Sequence, residues 1–145
     1  MPITPIKELV NRANAQVRIL RPGEALQLQR DGSATLVDVR DIRELDREGR
    51  IAGAIHAPRG MLEFWFEPTS PYYREVFGDS AKTYVLFCAA GWRSALAAKA
   101  LEDMGFENIA HVEGGFAALT EAGASLEAGA AERNSPRKPV GEKRV

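Results

Sequence analysis

The segment TYVLFCAAGWRSALAAKALEDMGF, Thr83 to Phe106, constrains the fold more than any other stretch of the chain. Its opening run, Tyr84 to Phe87, is apolar at consecutive rather than alternate positions, so both faces of the strand it forms must be covered. A helical apolar pattern follows from Ser94 to Met104, and Gly105 closes it. A strand, a tight turn and a helix in that order make half of a βαβ unit, and such units build parallel sheets.

The rest of the chain repeats the alternation. Thr4 to Ala15 reads as a helix, with Thr4 as its cap, Pro5 in the first turn and a stripe of Ile6, Leu9, Val10 and Ala13. VRIL is a short strand, followed by a helix from Pro22 that stops at Gly32. ATLVDVR is a second strand, and Asp41 with Glu44 has the form of a capping box opening the helix IRELDREG. GAIHAP and NIAHV are further strands, and Gly114 to Ala122 is a last short helix. The pattern predicts an α/β domain with a mainly parallel central sheet of about five strands flanked by helices. In such sheets ligands gather at the carboxyl ends of the strands, where Asp38, Arg40 and Cys88 all stand. The expected organisation is an N-terminal helix over 1–16, the domain over 17–124 and a mobile basic tail over 125–145. From Glu132 to Val145 that tail carries five basic and two acidic residues and two prolines, with few large apolar side chains.

Composition narrows the function by exclusion. A net charge of −1 on 145 residues gives no reason to expect a nucleic-acid or membrane partner. The N-terminal MPITPIKELVNRANAQ lacks an apolar signal core, and no apolar run approaches a membrane span, so a reducing cytoplasm is the expected location. A single cysteine excludes an intramolecular disulfide, a multi-cysteine zinc site and CxxC redox chemistry. No metal or organic cofactor is implied.

A lone cysteine after an apolar strand is commonly a small buried hydrophobe. The residues after Cys88 argue for chemistry instead. Ala89, Ala90 and Gly91 are small enough for the backbone to curl so that successive N–H groups face inward, which makes an anion nest. The next helix directs its positive N-terminal end at the same point, Arg93 can add a full charge, and Ser94 is placed to cap that helix or to turn its hydroxyl toward the loop. Such a focus favours thiolate over thiol and suits nucleophilic attack on an anionic electrophile. For His56 and His111 packing is preferred over catalysis, since a cysteine–histidine dyad rests on geometry that sequence does not show.

At these residues the chain resembles the rhodanese-like sulfurtransferases, over roughly Pro22 to Gly123. The resemblance rests on LVDVRDIRELDREGRIAGAIHAP, on VLFCAAGWRSALAAKALEDMGF with its Cys-x-x-Gly-x-Arg-Ser pattern, and on HVEGGFAAL with its late Gly-Gly turn. Phosphatases of the same architecture place five residues between cysteine and arginine; here Ala89, Ala90, Gly91 and Trp92 intervene, and a shorter loop fits a persulfide sulfur better than a phosphate. The resemblance implies that Cys88 takes the outer sulfur of a donor such as thiosulfate, becomes a persulfide, and passes that sulfur to cyanide, a small thiol or a protein thiol. Arg93 either reaches the donor's sulfonate or pairs with a carboxylate such as Glu44 to brace the loop; the brace is preferred, because inward N–H groups need an external tie. Trp92 is expected over the loop mouth, Asp38 and Arg40 as a salt bridge beside the site, and Arg59 as positive charge near the mouth.

Two departures from the family pattern stand out. Leu119 occupies a position where the family often has tryptophan. Phe64, Trp65, Phe66, Tyr72, Tyr73 and Phe77 crowd one segment, either covering a sheet face or forming an exposed wall beside Cys88 for a bulky acceptor. Two other function classes compete with the sulfurtransferase reading: a carrier that moves sulfur between proteins with little small-molecule turnover, and a phosphatase or arsenate reductase.

Overall fold

A computed structural model describes residues 2–128, and every strand pairing in its central sheet is parallel. Strands β1 (Arg18–Leu20), β2 (Ala34–Asp38), β4 (Ile55–His56), β5 (Thr83–Phe87) and β6 (Ile109–Val112) lie in the order β1-β6-β5-β2-β4. β3 (Arg50–Ile51) and β7 (Leu126–Glu127) form a separate antiparallel clip. The expected sheet of about five strands is therefore present. β7 shows that the segment anticipated as a tail from residue 125 begins with two residues paired to the body of the protein; its basic part lies outside the described residues.

The apolar runs explain the layering. In β5, Tyr84 and Leu86 enter a core with Val37, Leu62, Phe66, Phe77 and Leu101, whereas Val85 and Phe87 enter the opposite core with Leu36, Leu26 and Leu119. Period-two alternation thus feeds two cores from one strand, as a sheet covered on both sides requires. Helices α4 (Leu62–Phe66) and α5 (Trp92–Asp103) cover the first face, and α2 (Pro22–Arg30) and α6 (Gly115–Glu121) the second. Helix α1 (Ile6–Gln16) packs Val10 and Ala13 against Ala95 of α5. Its N-cap is Pro5 and no side chain caps it, so the expected role of Thr4 is not realised. Leu119 is fully buried, filling its position without an aromatic ring.

Register then sets the rim that carries the candidate site residues. Asp38 pairs with Phe87 and with His56, so β2, β4 and β5 end level, and the Val39 amide donates to the Phe87 carbonyl at 2.9 Å. The residues that follow these strands, including Arg40 and Cys88, emerge side by side. Helix α3 (Ile42–Glu48) starts on this rim with the predicted capping box: Asp41 accepts from the Arg43 amide, and the Asp41 amide donates to Glu44. Among the described residues no helix is long and apolar enough to cross a membrane.

Candidate active site

Strand alternation carries Cys88 onto the α4–α5 face, and its side chain is 1% exposed. The chain then turns through Ala89 and Ala90 to Gly91, which has φ +116 and is the N-cap of α5. A left-handed residue is needed to swing the backbone from strand into helix, and glycine adopts that conformation without steric cost. The turn brings the Gly91 amide to 3.1 Å and the Ser94 amide to 3.4 Å from Cys88 Sγ, both donating to sulfur.

The carbonyl side of the loop is held from α6. Cys88 O accepts from the Phe116 amide at 2.7 Å, and Ala89 O accepts from the Ala117 amide at 3.4 Å. These donors lie in the first turn of α6, where N–H groups have no partner inside the helix. Gly115 makes the approach close enough: a Cβ there would lie 2.4 Å from Cys88 O and 2.8 Å from Ala89 O. The Gly-Gly turn seen in the sequence is thus the back wall of the cysteine loop.

Two ion pairs fix the surroundings. Arg93 grips Glu44 with two hydrogen bonds of 2.8 and 2.9 Å, joining the start of α5 to α3. The Arg93 hydrogen bonds hold the Glu44 carboxyl down at about 2, and Glu44 raises the guanidinium in turn. Arg40 and Asp38 form a buried pair at 2.8 Å; Arg40 also donates to Gly49 O, and its guanidinium lies 4.1 Å from the Phe116 ring centroid. His56 donates from Nε2 to the Arg40 carbonyl at 2.7 Å, which closes the rim on that side. Among the described residues no cluster of three His, Cys, Asp or Glu side chains is placed to hold a metal ion.

The rhodanese-like domain model matches residues 21–122, which include the loop, its α6 wall and both ion pairs. The chain belongs to this family. Across 92 residues it is 34% identical to "Putative sulfurtransferase YtwF" of Bacillus subtilis, spanning 63% of this chain and 79% of that protein. A Rhodopseudomonas palustris protein of unknown function, described as a possible tyrosine phosphatase, shares 44% identity and a TM-score of 0.79, covering 88% of this chain and 99% of that one. The polysulfide-sulfur transferase of Wolinella succinogenes, a homodimer, shares 32% identity at a TM-score of 0.64, with 86% and 88% of the two chains covered.

Within this rhodanese-like domain the sequence-derived residues do not all meet. Cys88 to Ser94 form one loop, and Glu44, Asp38 and Arg40 stand beside it. Trp92 is half exposed and lines a cavity of about 200 Å³ with Asn14, Ile19, Ala90 and His111. Arg59 is paired with Glu63 at 2.7 Å, so its charge is already matched within its own turn. Ser94 does not cap α5; Gly91 takes that position, and Ser94 is buried inside the first turn.

The aromatic segment follows the sheet-covering reading in part and gives no wall. Phe66 and Phe77 stack at 4.3 Å and pack edge-on against Tyr84 in the core, while Trp65 is covered by Arg74. Phe64 and Tyr72 are exposed, and Phe64 lines a groove with Met104. Met104 follows the far end of the twelve-residue α5, roughly 18 Å from the loop at the helical rise, so this surface is not a wall beside Cys88.

His111 is one of the two histidines for which sequence reading preferred packing over catalysis. Its Nδ1 lies 3.1 Å from Ser94 Oγ and its Nε2 lies 2.7 Å from Asn14 Oδ1. A histidine one strand away from the cysteine, next to the Gly-Gly turn, was the only available signal, and the link to Asn14 spans 97 positions.

Burial lowers the imidazole of His111 to about 4, against an ordinary value near 6.5. The unfolded chain therefore binds a proton on this ring between pH 6.5 and 4 while the folded chain does not, so stability is lost as pH falls through that window and not further below it. Urea unfolding is expected to show a loss of about 2 kcal/mol between pH 7 and pH 5. His111→Gln should flatten that slope; an equally steep loss in the variant would refute the assignment.

Proposed function

We propose that this domain is a sulfurtransferase in which Cys88 is the nucleophile and the carrier of sulfane sulfur. The observation that carries the reading is the loop itself: two amides are directed at Sγ while Arg93, the one full positive charge in the loop, is tied back to Glu44. That arrangement stabilises a sulfur anion by dipoles. A phosphoryl group would call for the arginine at the anion. The relatives named for sulfur and polysulfide transfer support the same assignment.

In the first half-reaction the Cys88 thiolate attacks the outer sulfur of thiosulfate. The sulfur–sulfur bond of the donor breaks, sulfite leaves with its electron pair, and Cys88 is left as a persulfide anion. In the second, the thiolate of an acceptor attacks the outer sulfur, releasing a persulfide product and Cys88 thiolate. Cyanide as acceptor gives thiocyanate by the same displacement. The Gly91 and Ser94 amides stabilise the sulfur anion at the start and end of the cycle. A reducing compartment such as the cytoplasm would keep Cys88 available as a thiol between turnovers.

Intact mass after thiosulfate treatment and desalting tests the reading. Wild type is expected to gain one sulfur atom and release sulfite, and Cys88→Ser to do neither. If reduced, folded wild type gains no sulfur, thiosulfate is not the donor and transfer from a protein partner takes its place. Hydrolysis of an aryl phosphate that depends on Cys88 would replace the reading altogether.

A further inference from the structure

We propose that Asn14, His111 and Ser94 form a reversible hydrogen-bond chain that conducts the Cys88 proton out of the buried site and then turns round to stabilise the thiolate. The inference rests on Cys88 being the attacking thiol. Cys88, Ser94 and His111 are each no more than 2% exposed, so solvent has almost no direct access to the sulfur. The links run from Cys88 Sγ to Ser94 Oγ at 3.6 Å, from Ser94 Oγ to His111 Nδ1 at 3.1 Å, and from His111 Nε2 to Asn14 Oδ1 at 2.7 Å.

The direction of the chain follows from its end. Asn14 Oδ1 only accepts, so Nε2 of the neutral ring carries the proton and donates. Nδ1 at 3.1 Å is then a closer acceptor for the Ser94 hydroxyl than the Gly91 carbonyl at 3.4 Å, and Ser94 Oγ is left to accept from the Cys88 thiol. Every donor points from the sulfur toward Asn14, which is the arrangement that moves a proton outward.

Ionisation can be written through these atoms. The S–H bond breaks with its electron pair left on sulfur, and that proton passes to Ser94 Oγ. Ser94's own proton passes to His111 Nδ1, and the proton on Nε2 leaves to solvent in the cavity lined by Asn14, His111 and Trp92. One proton departs and nothing is oxidised. The ring ends neutral with its proton on Nδ1, donating to Ser94, whose hydroxyl now donates to the thiolate. Asn14 turns its amide to present an N–H to the bare Nε2. An asparagine serves both states because its amide holds a donor and an acceptor, whereas a carboxylate only accepts. Burial disfavours the imidazolium, so the ring passes the proton on rather than keeping it.

Few charges compete with this chain. From α5, Arg93 interacts with Cys88 but is paired with Glu44 of α3. From the rim after β2, Asp38 and Arg40 are closed on each other, and Glu113 after β6 is the other titratable side chain lining the cavity.

The test is the rate of Cys88 alkylation by iodoacetamide against pH, read by mass, with thermal melts on the same samples. Asn14→Leu and His111→Leu are expected to move the half-maximal rate up by about one pH unit, making alkylation about tenfold slower on the acid side. His111→Gln cannot pass a proton from one ring nitrogen to the other but can still donate to Ser94 when the thiolate forms, so its half-maximal rate, which reports thiolate stabilisation, is expected to stay within about threefold of wild type. A merely structural His111 would lower the melting temperature of both His111 variants and leave the half-maximal pH in place. A folded Asn14→Leu variant with the wild-type pH profile overturns the proposal, even where His111→Leu fails to fold. Alkylation needs no sulfur donor, so a failure of thiosulfate loading overturns the proposed function and leaves this test intact.

Discussion

Gly115→Ala is expected to reduce thiosulfate loading of Cys88 at least about a hundredfold and to destabilise the fold by roughly 2 to 4 kcal/mol. Two costs coincide at this position. Its φ of +61 is a left-handed conformation that strains an alanine by about 1 kcal/mol or more. The added Cβ would also lie 2.4 Å from Cys88 O, where the obstacle is backbone and not a side chain that can rotate away. Relief requires α6 to retreat, which breaks the Phe116 and Ala117 donations to the loop, at about 1 kcal/mol each. The loop would then be free to turn its carbonyls back toward the sulfur. Gly123→Ala is the control: it has φ +101 but no atom within 4 Å of the new Cβ, so it carries strain without a clash. Urea unfolding and sulfur loading on both variants decide the matter. Wild-type loading by Gly115→Ala would show that the close approach does not set the loop.

The second large effect is expected at the rim. Asp38→Ala removes the paired carboxylate of the fully buried Arg40 guanidinium and leaves it the Gly49 carbonyl, the Phe116 ring and the more distant Glu44, and about 3 to 5 kcal/mol of stability is expected to be lost. Replacing both partners by apolar residues, Asp38→Leu with Arg40→Met, removes the stranded charge and should recover most of that loss. Denaturant midpoints for the single and double variants make the comparison. If the double variant is no better than the single, the cost comes from lost packing and not from the uncompensated charge.

The parts of this molecule that sequence made legible are those with a local physical cause. Consecutive apolar residues in Leu36–Val37 and Tyr84–Phe87 announced strands covered on both faces, and their common ends put Arg40 and Cys88 on one rim. The Asp41–Glu44 box was readable because both partners fall within one helical turn. Of the two readings of Arg93, a brace to a carboxylate such as Glu44 or a reach to the donor's sulfonate, the structure contains the Glu44 pair, and an external tie for inward N–H groups was the reason for preferring it. The misses depend on contacts between distant segments. The β3–β7 clip has two residues per strand, too few to show a period. Ser94 was read as a cap whose hydroxyl could also face the loop; the left-handed Gly91 takes the cap position, and the hydroxyl does face inward, to Cys88 and to His111. The aromatic cluster could not be placed, because whether Phe66 or Phe64 faces the core depends on how α4 sits against α5.

The clamp on the loop carbonyls bears on how the protein is made. Cys88 leaves the ribosome before Phe116 and Ala117, the residues whose amides hold Cys88 O and Ala89 O. A nascent chain halted between them would carry Cys88 on an unfinished sheet, with nothing behind the loop to turn its carbonyls away. On the proposed function, reactivity toward sulfur donors would be acquired late in biosynthesis, when α6 docks, and the order of translation itself would shield the thiol from premature sulfur chemistry.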